Sequence, residues 1–425
     1  MTTQHDPDRI EADYLFETAQ DPERAAEIMA GEQSSGTFLS VPGETAELKE
    51  RSAARVERLE VLEEVQEATL SGATPPRDGG RIVRARATLS WPLNNIGVSL
   101  PALVTTISGN LFELKPFSGL RLLDLRLPSE FAARYPGPKF GVEGTRRLAG
   151  VEGRPLIGTI IKPSIGLSAQ DTGTLVGELA AGGIDFVKDD ELQMDGPSCP
   201  FEARVKAVMA AVNREADRTG KKTMVAFNLT GEVDEMRRRH DFVVSQGGTC
   251  VMVNLLAVGH AGVIELARHS EVPIHAHRSG WGALTRAPLL GWSYPAWSKL
   301  WRLAGCDHMH VNGLQNKFSE SDDSVVASAR SLAEPLFEST PMRAVPVFSS
   351  GQTIHQAEGT WKALRTPDLI FTAGGGVMAH PGGPGAGAAA LRDAWDAAMK
   401  DVPLETYAAD RPALRAALQA YPVSR

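Results

Sequence analysis

The segment GGIDFVKDDE, residues 182–191, joins a glycine pair and a short apolar run to four consecutive charged residues. A short apolar run that ends in polar residues is typical of a buried parallel strand whose last residues reach a functional edge. Side chains alternate along a strand, so Lys188 and Asp190 share one face and Glu191 follows at the rim. The segment therefore predicts a buried strand that ends in a lysine and two carboxylates.

Similar short runs continue from residue 154 onward and alternate with Ala- and Leu-rich helical patterns, which is typical of repeated βα units. Eight such units over about 250 residues is the usual length of a closed parallel barrel, so the sequence predicts a (β/α)₈ TIM barrel. The candidate strands are 154–163, 183–190, 223–230, 250–256, 272–278, 306–313, 344–351 and 369–376. The candidate helices include 201–216, 232–246, 262–269, 322–332 and 386–399.

The first part of the chain has a different pattern, which indicates a smaller, separate α+β domain of ferredoxin-like type at residues 1–140. Its candidate strands are 10–16 and 81–91, and its candidate helices are 22–31 and 46–65. A Pro- and Gly-bearing connector then leads into the barrel domain, for which we predict residues 141–425 with a helical tail at the C-terminus.

Composition excludes several classes of function. The chain has 425 residues, 42% hydrophobic and 23% charged, with a formal net charge of −8, which disfavours a nucleic-acid surface. No apolar run is long enough to cross a membrane, and the three cysteines form no C-x-x-C pair. We therefore expect a soluble, cytoplasmic protein with reduced core thiols that acts on a small molecule, without nucleic-acid or membrane partners.

Polar residues gather at the predicted carboxyl ends of the strands, where barrels place their catalytic groups. Scattered along the chain, these residues would converge on one mouth of the barrel. They are Lys162, Lys188, Asp190, Glu191, His277, Arg278, His310, Ser349, Ser350, Gly351, Gly374, Gly375 and Gly376.

Asp190 and Glu191 beside Lys188 form an oxygen-rich cluster of the kind that suits Mg²⁺. The alternative is a purely structural cluster of ion pairs. Two pairs of histidines have i, i+2 spacing, namely His275 with His277 and His308 with His310. The deeper member of each pair, His275 or His308, is interpreted as a core residue.

Two further features of the mouth point to anions. The upper histidines, His277 and His310, could bind an anion or move protons. The glycines after strands seven and eight match the usual position of barrel phosphate sites, although glycines also simply end strands.

Several motifs resemble the large chain of ribulose bisphosphate carboxylase, in that family's order and spacing. The resemblance covers nearly the whole chain. The motifs are GGIDFVKDDE at 182–191, GTIIKPSIGLS at 158–168, HAHR at 275–278, GCDHMH at 305–310, GGGVMAHP at 374–381, EQSSGTF at 32–38 and SGN at 108–110.

This resemblance implies site residues. Lys188 would react with CO₂ to form a carbamate that joins Asp190 and Glu191 on Mg²⁺, and Lys162 would be the acid/base lysine. Arg278, His310 and Ser349 would bind one end of the substrate, and Gly351, Gly374, Gly375 and Thr37 would bind a phosphate. Lys317 would lie on a mobile loop that closes over the site. Glu32, Thr37 and Asn110 would reach the barrel of a partner chain. A homodimer with sites at the subunit interface, possibly in a higher oligomer, is the implied assembly.

Departures from the carboxylase pattern point to the RuBisCO-like (form IV) branch. Ser164 stands where carboxylases keep a second lysine, Phe38 replaces a tryptophan, and Trp281 replaces a histidine. The resemblance thus implies an Mg²⁺-dependent lyase or hydrolase that stabilises an enolate of a phosphorylated keto-sugar acid. The implied reaction is decarboxylation or C–C hydrolysis, with 3-oxo-isoapionate 4-phosphate as the first choice of substrate. The alternatives are an enolase or isomerase of methylthio-sugar phosphates, with Phe38 and Trp281 around the thioether, and a non-catalytic sugar-phosphate-binding relative.

Overall fold

The computed structural model describes residues 7–36, 41–77 and 80–421. The chain divides into two compact units. The first comprises residues 1–136 and 280–303, and the second comprises residues 137–279 and 304–425.

The second unit is built on a closed barrel of eight parallel strands, which confirms the predicted fold. Each of these strands lies inside one of the eight predicted segments. In order around the barrel they are β11 (His308–His310), β12 (Val345–Phe348), β13 (Ile370–Thr372), β5 (Leu156–Ile160), β6 (Phe186–Lys188), β7 (Met224–Asn228), β8 (Cys250–Asn254) and β9 (Ile274–His277).

Register brings the polar strand ends together at one mouth. Lys188, the last residue of β6, lies opposite Ile160 at the end of β5 and Ala226 of β7. His308 of β11 pairs with His275 of β9. Apolar side chains such as Phe186 and Met252 fill the barrel interior, so the mouth rests on a rigid, packed core.

Helices connect and cover these strands. The helix α6 (Ala169–Ala181) begins with a capping box in which Ser168 and Asp171 bond reciprocally. The other helices of this unit are α5 (Gly141–Ala149), α7 (Phe201–Thr219), α8 (Val233–Ser245), α9 (Leu255–His269), α12 (Asp322–Ala333), α13 (Gln356–Leu364), α14 (Gly375–Met378), α15 (Pro384–Met399), α16 (Leu404–Tyr407) and α17 (Pro412–Ala420).

The first unit contains a five-stranded sheet. Its strands are β1 (Arg9–Thr18), β2 (Arg55–Val65), β3 (Ile82–Pro92), β4 (Phe117–Arg126) and β10 (Leu290–Trp292), and its helices are α1 (Pro22–Glu32), α2 (Ala46–Ser52), α3 (Leu100–Ile107), α4 (Glu130–Arg134), α10 (Trp281–Thr285) and α11 (Tyr294–Ala304), with 3₁₀ turns at Leu93–Asn95 and Leu111–Glu113. The strand order is β10-β4-β1-β3-β2. The four N-terminal strands pair antiparallel, as in a ferredoxin-like domain, and β10 adds in parallel to β4. In β1, alternation buries Ile10, Ala12, Tyr14 and Phe16 on one face.

One predicted element is wrong. The charged helix expected over residues 46–65 ends at Ser52, and residues 55–65 form the strand β2. Glu, Leu and Arg are good helix formers, which explains the error. Antiparallel pairing of β2 with β3 along its length, with two register shifts, overrides that local preference.

Residues 280–303 leave the barrel sequence between β9 and β11 and contribute β10 to the sheet of the first unit. We did not predict from the sequence that residues 280–303 join the first unit. The division into two domains at residue 140 stays a prediction.

The Asp307 carboxylate organises the lower end of β11. It accepts hydrogen bonds from the backbone N–H groups of Phe140 (2.7 Å), Gly141 (2.9 Å) and Ile274 (2.9 Å). Burial raises the pKa of Asp307 from 3.8 to about 6, against the effect of these donors. A buried acid therefore joins the start of α5 to β9.

This raised pKa predicts a pH effect on stability. Because the folded-state pKa lies above the unfolded value, the stabilisation is complete below about pH 4 and is lost as the pH rises through about 6. We expect the free energy of unfolding of wild type, minus that of Asp307→Asn, to decrease between about pH 4 and 7. Urea unfolding at several pH values measures this difference, and a constant or rising difference would contradict the prediction.

The three cysteines, Cys199, Cys250 and Cys306, are buried free thiols, as predicted. Within the described ranges, no helix combines the length and apolar character needed to cross a membrane.

Candidate active site

Two charged side chains from adjacent strand ends, Lys162 and Asp190, meet at the barrel mouth. Lys162, just beyond β5, donates from Nζ to Asp190 Oδ2 at 2.6 Å and to Ser164 Oγ at 2.8 Å. Burial raises the pKa of Asp190, but the hydrogen bonds from Lys162 and from the Leu192 N–H, together with the charge of Lys162, outweigh burial and hold the pKa below 3.8. The structure therefore brings the predicted acid/base lysine directly onto a predicted metal ligand.

Lys188 lies fully buried beside this pair. Its Nζ donates to the backbone carbonyl of Asp189 at 2.7 Å. Burial lowers its pKa from 10.5 to about 8, although the charges of Glu191 and Asp190 oppose the shift. Near pH 7 about a tenth of the amine is therefore neutral, the form that reacts with CO₂, which is far more than for an ordinary lysine.

Glu191 is the more accessible carboxylate, with a side chain 37% exposed and Oε2 3.6 Å from His277 Nε2. Two asparagines hold its backbone: Asn254 Nδ2 donates to the Glu191 carbonyl at 2.8 Å and Asn228 Nδ2 donates to it at 3.2 Å. Asn228 also donates to the carbonyl of Asp190 at 3.3 Å. These two asparagines, at the ends of β7 and β8, position both acidic residues.

The histidines form a continuous group of rings. His277 Nδ1 accepts from the N–H of Ser279 at 3.2 Å, so its neutral ring carries the proton on Nε2, toward Glu191. His310 Nδ1 lies 3.1 Å from Ser349 Oγ, and its Nε2 lies 2.8 Å from His275 Nε2. Burial holds the pKa of all three histidines well below 6.5, so they are neutral at physiological pH.

Arg278, beside His277, has a side chain only 8% exposed. Its Nη2 donates to Glu320 Oε2 at 2.7 Å, and Asn312 Nδ2 donates to the same oxygen at 2.7 Å. The predicted anion-binding arginine is therefore paired with a carboxylate of its own chain.

The glycine-bearing loops after β12 and β13 lie beside Lys317 and Lys162, respectively. Gly351 has φ +83°, and a Cβ placed there would lie 3.6 Å from Lys317. A Cβ on Gly374 would lie 3.9 Å from Lys162, and one on Gly375 would meet nothing within 4 Å. Lys317 donates its backbone N–H to Ser350 at 3.3 Å, so its loop rests on the segment after β12.

Glu32 and Asn110 belong to the first unit, and both are exposed there. Their neighbours Gln33 and Gly109 approach so closely that a Cβ on Gly109 would lie 2.3 Å from the Gln33 carboxamide, which brings these two chain segments together. Thr37 and Phe38 lie outside the described residues. Trp281 is 5% exposed and packs against Trp297, with ring centroids 4.6 Å apart.

A second group of potential metal ligands lies between α8 and α9, formed by His240, Asp241 and His269. His240 Nε2 accepts from the N–H of Glu271 at 3.1 Å, so the neutral ring carries its proton on Nδ1 and can donate it to Asp241 Oδ1, 3.0 Å away. His269 Nε2 lies 2.5 Å from the same oxygen. This geometry is that of a hydrogen-bonded link between two helices.

Sequence reasoning missed Asn228, Asn254, Asn312 and Glu320. The first two follow the rule that polar residues at the carboxyl ends of barrel strands face the site, and that signal could have identified them. Glu320 lies in a loop, and no local pattern relates it to Arg278.

Family models agree with this architecture. The model of the ribulose bisphosphate carboxylase large chain, catalytic domain, matches residues 141–421. The model of the N-terminal domain of the same large chain matches residues 7–131.

Individual relatives are similar over almost their full length. A 3-oxo-isoapionate-4-phosphate transcarboxylase/hydrolase from Xanthobacter autotrophicus is 59% identical over 411 residues, covering 97% of this chain and 99% of that protein. A 3-oxo-isoapionate-4-phosphate decarboxylase from Rhizobium etli is 43% identical over 407 residues, covering 95% and 97%. The crystal structure of a rubisco-like protein from Burkholderia fungorum has a TM-score of 0.91 at 46% identity and covers 97% of this chain and 100% of that chain.

Proposed function

Since the chain belongs to the ribulose bisphosphate carboxylase large-chain family, as one of its RuBisCO-like members, we propose that it cleaves a carbon–carbon bond of 3-oxo-isoapionate 4-phosphate. The observation that carries the substrate is the 59% identity, over 97% of the chain, to a transcarboxylase/hydrolase of that compound. Hydrolysis is favoured over simple decarboxylation because the identity to the decarboxylase from Rhizobium etli is lower, 43% against 59%.

The donor set fits Mg²⁺. Asp190 and Glu191 offer two carboxylates, and carbamate formation on Lys188 would replace an ammonium with a third oxygen ligand. The lowered pKa of Lys188 supports that reaction, and the contact of Asp190 with the Lys162 ammonium shows that its Oδ2 faces a cation. When bound, Mg²⁺ would act as a Lewis acid for the substrate's carbonyl oxygen.

Lys162 is the proposed proton carrier. Cleavage next to a ketone leaves an electron pair on carbon, which must be protonated before the product can leave. Lys162 Nζ carries a proton between Asp190 Oδ2 and Ser164 Oγ, and 40% of its side chain is exposed at the mouth, where a substrate can reach it. His277, neutral and directed toward Glu191, is proposed to assist by holding a substrate hydroxyl.

The substrate's charged groups are assigned by the same geometry. We assign one anionic end to Arg278, His310 and Ser349. Arg278 follows His277 in the chain, the ring of His277 lies 4.7 Å from that of His310 between centroids, and His310 Nδ1 lies 3.1 Å from Ser349 Oγ. The phosphate is assigned to the loops at Gly351, Gly374 and Gly375, together with Thr37. Open space above Gly375 and the approach of Gly351 to Lys317 support this assignment.

Isotopic labelling tests the reaction. Purified protein is incubated with Mg²⁺, bicarbonate and 3-oxo-isoapionate 4-phosphate carrying ¹³C in its carboxylate. If the carboxylate is transferred to another carbon and the product is then hydrolysed, as the name transcarboxylase/hydrolase describes, the label stays in a non-volatile product. Decarboxylation instead releases the label as CO₂. If neither product forms at a rate above the heat-inactivated control, the proposed function is wrong.

No specific observation favours the methylthio-sugar reaction. Trp281, offered as one wall of a thioether slot, is packed against Trp297 instead. The relatives named above are enzymes, which disfavours the non-catalytic alternative.

Asn254 provides a test of the metal site that does not depend on the choice of substrate. Because its carboxamide holds the Glu191 carbonyl, Asn254→Ala should weaken Mg²⁺ binding by roughly 10- to 100-fold. Isothermal titration with Mg²⁺ in bicarbonate buffer measures the change. Asn213→Ala, which removes a hydrogen bond on α7, is the matched control and should leave Mg²⁺ binding unchanged.

We propose a homodimer in which Glu32, Thr37 and Asn110 of one chain complete the barrel site of the other. Co-expression of Asn110→Ala with Lys188→Met chains should restore activity, because a mixed dimer contains one site with both parts intact. Random assembly predicts about one quarter of wild-type activity per total site. Activity no higher than that of the separate variants would argue against shared sites.

A further inference from the structure

Glu320 is a partly buried carboxylate on the loop between β11 and α12, three residues after Lys317. Its side chain is 15% exposed. Oε2 accepts from Arg278 Nη2 and Asn312 Nδ2, both at 2.7 Å, and Oε1 accepts from Ser324 Oγ at 2.9 Å. Both carboxylate oxygens are therefore held by defined donors.

Backbone contacts hold the loop around Glu320. Asn316 Nδ2 donates to the backbone carbonyl of Glu320 at 3.1 Å and to that of Gly313 at 3.0 Å. Asn316 Oδ1 accepts from the N–H of Phe318 at 2.9 Å. These bonds do not involve the Glu320 carboxylate, which is therefore held in place against Arg278 by an independently fixed backbone.

Charge makes this contact more than structural. Arg278 and Glu320 form a partly buried ion pair with no net charge. A substrate anion that approaches Arg278 therefore meets a carboxylate at hydrogen-bond distance from the same guanidinium. Two anions close together in a site of low dielectric repel each other strongly. Because Glu320 occupies Nη2, an anion that binds Arg278 either shares that nitrogen with Glu320 or replaces it.

We propose that Glu320 competes with the substrate's anionic group for Arg278 and thereby lowers the affinity of the site for that group. This inference rests on the proposed function only in the assignment of Arg278 to an anion. The loop itself stays attached through the backbone N–H of Lys317, which donates to Ser350 at 3.3 Å, so the competition concerns the guanidinium alone.

Inorganic phosphate is the probe for this competition. Glu320→Gln keeps the size of the side chain and removes its charge, so phosphate should bind roughly tenfold more tightly than to wild type in isothermal titration. Asp323→Asn, an exposed neighbour in the first turn of α12, controls for the general loss of one negative charge and should change binding little. Glu320→Ala is the second variant and should tighten binding in the same direction.

A double-mutant cycle locates the effect. In an Arg278→Ala background, phosphate binding should be weak and Glu320→Gln should no longer tighten it. Unchanged or weaker binding by both Glu320 variants, or equal tightening in the Arg278→Ala background, would overturn the proposed competition. Absence of turnover with tightened phosphate binding would instead overturn the proposed function alone.

Discussion

Replacement of Lys188 by methionine is expected to lower kcat by roughly 10³-fold or more. Methionine has nearly the same length and suits a fully buried position, so the fold should be retained. It cannot form a carbamate, and the proposed Mg²⁺ site loses one of three oxygen ligands. Steady-state turnover of 3-oxo-isoapionate 4-phosphate, with and without bicarbonate preincubation, measures the loss.

Lys206→Met is the control for this exchange, because Lys206 lies on α7 with its Nζ over the ring of Phe242. That variant should keep wild-type turnover and the wild-type response to bicarbonate. If Lys188→Met stays within tenfold of wild type, the carbamate proposal fails.

Replacement of Lys162 by methionine is expected to lower kcat by roughly 10²- to 10⁴-fold, the usual contribution of a positioned acid or base. The KM should change much less, since the proposed anion-binding groups, Arg278 and the glycine loops, remain. Lys162→Arg should not restore turnover, because guanidinium does not give up its proton near neutral pH. Steady-state kinetics of the three proteins gives the separation of kcat from KM.

The proton role can be distinguished from a role in shaping the metal site. Lys162 contacts Asp190, so a loss of Mg²⁺ affinity would accompany a merely structural effect. We expect Mg²⁺ titration of Lys162→Met to give binding at least as tight as wild type, since a competing ammonium has been removed. A large kcat loss that is fully recovered at high Mg²⁺ would show that Lys162 does not carry the proton.

The barrel was predictable from sequence because its strands are buried on both faces. Such strands appear as continuous apolar runs, and β6 is an example in which Phe186 and Val187, on opposite faces, are both buried before Lys188 ends the strand. The polar residues that end those runs fall at one mouth for topological reasons alone. For this reason Lys162, Lys188 and Asp190 could be grouped from the amino-acid sequence, although they come from two different strand ends.

Elements that depend on distant partners were less predictable. The strand β2 contains strong helix formers and becomes a strand through its pairing with β3. The strand β10 is three residues long and, among the residues that the structure describes, pairs with β4 alone. The pairing of Glu320 with Arg278 joins residues 42 positions apart in the chain. Local patterns contain no information on such contacts.

The placement of β10 has a consequence for synthesis on the ribosome. The sheet of the first unit requires residues 290–292, yet β5 to β9 of the barrel are translated before them. The nascent chain must therefore keep the outer edge of β4 open while most of the barrel strands emerge. A fragment that ends near residue 136 would keep that edge exposed, so expression of the N-terminal unit alone calls for a graft of residues 280–303 through a short linker.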